Sequence, residues 1–266
     1  MINKIRDLLK DRRLKKIDYD DCDRIKVHNA ILSEKKMMKE VFSEFYSLCL
    51  RVTDKYFCND GKELEIGSGV SFFKKVNPNL ITSDIIPAPH LDMVLDAQQM
   101  TAISDSSLRS VYAINVLHHF PEPEKFFLEL LRVLRPSGGC ILIEPFYGVF
   151  AKKFYSNVHP SEHFNPQQKE WTSSRKMGSM SNANQALSYI IFQRDKELFK
   201  KKYPNLELIN NYPLKNYLRY FLSGGINFIQ LAPNFFIPIL KIGELLLSPF
   251  NYFLALHHVI IIRKKK

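Results

Sequence analysis

Four cysteines stand in 266 residues, Cys22, Cys49, Cys58 and Cys140, and no two form a Cys-x-x-Cys pair. That spacing argues against a zinc site and fits a reducing compartment. Cys140 falls in an apolar run and is expected to be a small buried residue. The chain also lacks the apolar core of a signal peptide ahead of its first basic run, so export is not expected and the cytoplasm is. No apolar stretch reaches the ~18 uninterrupted residues of a membrane span. The richest, 217–253, is broken by Lys241 and Glu244. Aromatic residues do not interleave with the basic runs 10–16, 200–202 and 263–266, which speaks against a surface that stacks single-stranded nucleic acid.

What is present is ordinary in bulk: 45% apolar and 24% charged residues, enough chain to bury a core as one α/β domain with decorations. The net charge of +11 is not ordinary. It points to an anionic partner, whether nucleic acid, an acidic membrane surface or a phosphorylated substrate, or else to a basic surface that is simply solvated.

The most informative stretch is Glu63-Leu64-Glu65-Ile66-Gly67-Ser68-Gly69, a short apolar strand ending in an acid and a glycine turn. Such a turn lets a backbone approach a nucleotide-type ligand closely. A second strand, Leu80-Ile81-Thr82-Ser83-Asp84, ends in an acid 17 residues after Gly67, where a ribose diol would be held. A dinucleotide fingerprint requires a third glycine at position 72, which is Phe, so nicotinamide and flavin dinucleotides are disfavoured.

The order Glu65-Ile66-Gly67-Ser68-Gly69-Val70-Ser71 instead resembles the first motif of the class I S-adenosylmethionine-dependent methyltransferases, with Ser71 where that family often has glycine. Leu95 to Met100 resembles the family's adenine-lining segment. Ser110 to Phe120 resembles its fourth strand and following loop, Pro123 to Gly139 its next helix and turn, and Ile141 to Pro145 its fifth strand. The likeness covers roughly residues 62–146. It implies S-adenosyl-L-methionine as cofactor and a doubly wound, mostly parallel seven-stranded, Rossmann-like sheet. By the same resemblance Gly67, Ser68 and Gly69 form the turn beneath the methionine part, and Glu65 binds the amino group or orients the loop. Asp84, followed by Ile85, takes the ribose hydroxyls. Asp96 takes the adenine amino group beside the Ala97 backbone, and Asn115 lines the methyl end.

Candidate bases follow from position. His118 and His119 come just after strand four, where an acceptor would sit, and one of the two is free to be structural. Glu144 ends strand five. His159 and His163 bracket Glu162 in the segment beyond it. Histidine is a fitting base near neutral pH. Glu144, His159 and His163 match no standard ligand spacing, and no metal is expected.

The chain divides into an N-terminal helical cap (1–60), a cofactor-binding core (61–146), a polar, aromatic substrate lid (147–203) and a C-terminal return to the sheet with an apolar helical insertion (204–266). Strands are expected at 62–66, 79–84, 91–95, 109–115, 139–144, 205–211 and within 254–263, and the clearest helix at 124–134. In that helix Leu128, Leu131 and Leu134 are expected to face the sheet, and Glu129 and Arg132 water. Ile2, Ile5, Leu8 and Leu9 make an N-terminal helix that either packs on the domain or lies at an interface. Region 217–253 is either a buried hairpin over the sheet or an exposed greasy face for an acidic membrane or a lipid-linked substrate.

The expected function is methyl transfer, on oxygen, to a small-molecule, sugar or lipid-linked acceptor. A nucleic-acid substrate is the alternative, weakened because Asn115-Val116-Leu117-His118 stands where many amino-methylating enzymes carry Asn/Asp-Pro-Pro-Tyr/Phe. A non-catalytic binding module on the same fold is the third reading.

Overall fold

The structure, a computed structural model, describes residues 2–15, 17–18, 21, 23–158, 162–173 and 183–266. His159 and Asn182 lie outside the described residues. Three helices come first: α1 (Ile2–Leu9), α2 (Asp23–Glu34) and α3 (Lys36–Tyr56). Then follow β1 (Lys62–Ile66), α4 (Phe73–Val76), β2 (Ile81–Asp84), β3 (Met93–Val94), β4 (Leu108–Ile114), α5 (Pro123–Val133) and β5 (Leu134–Pro145). Helices α6 (Val149–Val158), α7 (Leu187–Tyr189), continued by a π-turn over Ile190–Arg194, and α8 (Lys196–Lys202) lead to β6 (Leu206–Pro213). The chain ends with α9 (Tyr217–Ser223), α10 (Ile237–Leu246), α11 (Asn251–Leu254) and β7 (His257–Lys264).

The seven strands form one sheet in the order β3-β2-β1-β4-β5-β7-β6, parallel except for β7, which runs antiparallel to both neighbours. The three central strands are apolar on both faces, as a sheet covered twice demands. Val111, Ala113, Cys140, Leu142, Ile260 and Ile262 pack toward α5 and residues 187–203. Their alternates Tyr112, Ile141, Ile143, Val259 and Ile261 pack toward α3 and Phe73. This is the two-residue period of a pleated strand read out on two cores. From β1 the chain steps outward to β2 and β3, then returns to β4 on the other side, which opens a crevice at the carboxyl ends of β1 and β4.

Element by element, the differences from expectation are local. The third strand shrinks to two residues. The last begins at His257 because Asn251–Leu254 makes a helical turn. In α5 the inward face is Phe126, Phe127, Leu130 and Val133, and Leu128 is 59% exposed. Of the three leucines expected inward only Leu128 fails: Leu131 packs partly and Leu134, where β5 begins, fully against the core, and the inward face is completed by Phe127, seated among Trp171, Phe192, Phe199 and Tyr203. Those partners change the account of 147–203 as well. Ile190, Ile191, Phe192, Phe199 and Tyr203 are fully or almost fully buried in the main core, so 187–203 is a structural layer on the sheet, and a lid can only be built from what precedes it.

Candidate active site

β1 ends at Ile66, and Gly67 turns the chain with φ +64°. A Cβ there would sit 2.4 Å from Val116 Cγ2, so a side chain would push the turn off the end of β4. Ser68 closes the turn on β2: its amide donates to Ser83 O at 2.8 Å and its hydroxyl to Glu65 Oε2 at 3.0 Å. Glu65 is buried, and that burial pushes its carboxyl up to about 7 against the hydrogen bonds of Ser71 and Ser68. A cation placed beside it would draw it into the ionised form.

Asp84 stands at the tip of β2. Oδ2 accepts from the Gly69 amide at 2.9 Å and Oδ1 from the Ile86 amide at 3.0 Å. Each oxygen keeps a second lone pair, so the fixed carboxylate can still accept from two vicinal hydroxyls. On the next loop Asp96 Oδ1 accepts from the Gln98 amide at 2.8 Å, and Gln98 Oε1 accepts from the Glu122 amide at 2.8 Å, tying that loop to the start of α5. Asn115 follows β4 with φ +57°, a left-handed conformation that a short polar side chain tolerates best, and its amide donates to Ile143 O at 2.8 Å.

Glu65, Gly67, Ser68, Gly69, Asp84, Ile85, Asp96, Ala97 and Asn115 all line one cavity of about 410 Å³, and so does His119. The volume falls in the ~300–1,000 Å³ range of small-molecule sites. The wall also takes Ile25 and His28 from α2, Phe42 from α3 and Ile226 from the loop after α9. None of these four was named from the sequence as a site residue, although the N-terminal helices were read as a cap. No local motif marks them, since they come from helices that cover the sheet's carboxyl edge.

The two adjacent histidines part company. They lie on a tight 3-10 turn, Leu117–His119, rather than in extended chain, with ring centroids 4.2 Å apart. His119 reaches the cavity. His118 is buried, with Nδ1 2.6 Å from Glu144 Oε2 and Nε2 3.7 Å from Glu162 Oε2. Burial works against its charge, but Glu144 and Glu162 outweigh it and raise its pKa. Glu144, one of the candidate bases, is fully buried and does not line the cavity. Its Oε1 accepts from the Val116 and Leu117 amides at 2.9 and 2.8 Å, and its Oε2 faces His118, so it braces the turn that aims His119. His163 is exposed, away from the cavity, its backbone paired with residues 183 and 185. Glu162, its neighbour, accepts from Gln185. Possible ligand atoms of His118, His119 and Glu162 lie within 4.8 Å of one another, a grouping of an adjacent histidine pair with a distant glutamate that spacing alone does not display.

Residues 65–142 match the model of a methyltransferase domain. No curated protein matches the chain in sequence. Among solved structures it is similar to phosphoethanolamine N-methyltransferase 2 of Haemonchus contortus in complex with S-adenosyl-L-methionine, at 14% identity over 95% of this chain and 59% of that one, TM-score 0.50. It is similar too to a chain of the Haloferax volcanii complex between a methyltransferase activator and a methyltransferase, at 10% identity over 92% and 94%, TM-score 0.50. A SAM-dependent methyltransferase of Archaeoglobus fulgidus aligns at 12% identity over 83% and 94%, TM-score 0.43. The two likenesses at TM-score 0.50 speak for the fold, and the matched domain covers the glycine turn, both aspartates and the histidine turn. Residues 65–142 of the chain are thus a methyltransferase domain, on the Rossmann-like fold of the Haemonchus contortus enzyme solved with S-adenosyl-L-methionine.

Proposed function

We propose that the protein transfers the methyl group to an oxygen of a small-molecule, sugar or lipid-linked acceptor, with His119 as the base. The cofactor supplies an activated methyl for in-line displacement, so the protein chiefly orients the acceptor, excludes water and removes a proton. The observation that carries this reading is that His119 lines the cavity while its neighbour His118 is buried against Glu144. Glu65, Asp84 and Asp96 belong to the cofactor half. His28 faces Asn227 Oδ1 through Nε2 at 3.2 Å. His119 lines the same cavity as Asn115, where the acceptor would meet the methyl group, and an imidazole accepts a hydroxyl proton near neutral pH. Glu144 and His118 hold its turn in place as positioning residues.

An acidic membrane surface met through 217–253, with the protein peripheral to the inner face of the membrane, completes the proposal. Among the described residues no helix is long and apolar enough to cross a membrane. A screen with labelled cofactor against sugar, lipid and RNA pools finds the acceptor. On that acceptor His119→Gln is expected to slow turnover by about a hundredfold or more while cofactor affinity stays as it is. Turnover unchanged in that variant removes His119 from the mechanism, and label entering only RNA overturns the acceptor class.

A further inference from the structure

Helix α10 is mounted with its charged side inward. Glu244 is buried and takes two hydrogen bonds from Arg219 of α9, at 2.9 Å from the amide and 2.7 Å from Nε. The same guanidinium forks onto Glu44 of α3 at 2.6 and 2.7 Å, and Lys241 reaches Glu40 of α3 at 2.6 Å. With its polar face spent on the protein, the helix turns Ile239, Ile242 and Leu246 outward, exposed by 60, 59 and 72%. Phe235, Phe250 and Phe253 extend the same greasy surface at 72, 55 and 58%. Soluble monomers rarely leave a contiguous apolar patch of this extent to water.

The root of this hairpin joins two other parts of the molecule at Asn227. Its carbonyl accepts from the Asp11 amide at 3.0 Å, Lys10 and Phe228 form an antiparallel bridge, and the Ile229 amide donates to Leu9 O at 2.8 Å. Its side-chain oxygen accepts from Arg24 at 3.0 Å on α2, the helix that lends Ile25 and His28 to the cavity, and Ile226 next to it lines that cavity. Lys35 clamps the junction from beneath, donating to Ser223, Gly225 and Phe228 carbonyls. The hairpin, the N-terminal helix and one cavity wall are therefore stitched together by backbone bonds.

Charge flanks the apolar surface on both sides. Arg12 and Lys15 follow α1, whose Leu8 is 74% exposed. Lys152 and Lys153 stand exposed on α6, which meets α9 through Phe150 and Phe154, 5.8 and 5.7 Å from the Phe221 ring. No carboxylate of a described residue pairs with any of these four cations. An apolar face rimmed by positive charge that no carboxylate neutralises is complementary to an anionic bilayer, whose headgroups meet the cations while the side chains enter the acyl boundary.

We infer that residues 6–15 and 226–253 form one composite membrane-docking platform, in which the N-terminal helix and the inverted hairpin seat together on anionic lipid and hold the Ile226 edge of the cavity at the bilayer surface. The inference rests on the proposed membrane partner and adds to it the second element and the orientation. An acceptor anchored in the bilayer would then enter the cavity without leaving its lipid.

Co-sedimentation with vesicles of phosphatidylcholine alone, and of equal parts phosphatidylcholine and phosphatidylglycerol, tests it on the full chain. Strong binding is expected on the anionic vesicles only, falling at least tenfold in Ile239→Ser/Ile242→Ser/Leu246→Ser and, separately, in Leu8→Ser/Arg12→Glu/Lys15→Glu. Hydrogen exchange with vesicles present is expected to slow over 6–15 and 226–253, and not over β6 at the far edge of the sheet. Undiminished binding of the N-terminal variant, or slowed exchange confined to the hairpin, overturns the composite platform. A stable dimer in sedimentation velocity that buries the hairpin and ignores vesicles overturns the lipid. Calorimetry with S-adenosyl-L-methionine on the same samples separates the two levels, since both variants should bind the cofactor like the parent. Lost cofactor binding in the parent sinks the transferase reading whatever the vesicles show.

Discussion

Helices α5 and α10 are nearly the same length, 11 and 10 residues, and both carry an apolar stripe. In α5 the stripe goes inward: Phe126, Phe127, Leu130 and Val133 are fully buried, while Glu129 and Arg132 pair with each other at the edge. In α10 it goes outward, and a carboxylate occupies the buried side. The contrast separates two things that periodicity conflates. A repeating apolar face says that a helix wants an apolar neighbour, but which side of the protein supplies that neighbour depends on where the partners of its charges stand. For α5 the neighbour is the sheet. For α10 the Arg219–Glu44–Glu244 cluster fixes the orientation first, and the apolar side is left for whatever lies outside.

The sharpest way to break this contrast is to treat the two stripes alike. Phe127→Ala should cost about 3–5 kcal/mol in urea unfolding, because a large buried ring leaves a cavity. Ile242→Ser should fall within about 0.5 kcal/mol of the parent, as exposed substitutions do. Equal losses would mean that the hairpin stripe is core after all. For the cofactor site, micromolar binding of S-adenosyl-L-methionine (about −8 kcal/mol) should weaken beyond the millimolar range in Asp84→Ala, a loss of about 4 kcal/mol. Gly67→Arg should do the same by displacing the turn from Val116. Calorimetric affinities that survive both changes would dissolve the assigned pocket. Glu244→Gln should cost about 3 kcal/mol, the low end for breaking a buried ion pair, since Glu44 still holds Arg219. A neutral result in thermal unfolding would show that charge does not set the orientation of α10.

The smallest effect expected is on pH dependence. Glu65 has a folded pKa of about 7, above its unfolded value near 4.5. The folded state therefore holds the proton more tightly. Its contribution to stability is fully present below pH ~4.5 and fades as pH rises through ~7. The ligand-free protein should thus melt a little higher at pH 6 than at pH 8, and Glu65→Gln should flatten that difference. Binding of the cationic cofactor should run the other way, tightening as Glu65 ionises. A melting profile that rises with pH in the parent and is unaltered in the variant would assign the slope to another group.

Much of the cavity lining was legible because its signals are local. An apolar strand, a glycine turn and an acid at a fixed distance are neighbours in sequence as well as in space, and all nine residues named for the cofactor line one cavity. The base candidates were harder. His118 and His119 are adjacent, yet one is buried against Glu144 and the other reaches the cavity, a choice made by a carboxylate on a different strand. Glu144, a candidate base at the end of strand five, is buried and bonded to the turn that carries His118 and His119. Phe42 showed only as one apolar position of a helical cap, and Ile25, His28 and Ile226 were not marked as lining, because a wall assembled from three covering segments has no spacing to recognise.

By itself, the amino-acid order determined the sheet, the turn at Gly67 and the carboxylate at Asp84, since period-two apolar alternation and the steric demand for glycine act within a few residues. Tertiary structure alone decided which histidine faces the cavity, which side of α10 meets water, and that the N-terminal helix and the hairpin share a root at Asn227. Those outcomes depend on pairings up to about two hundred positions apart, such as Arg24 with Asn227. Charge and hydrogen-bond partners at that range are brought together only when the sheet has formed between them.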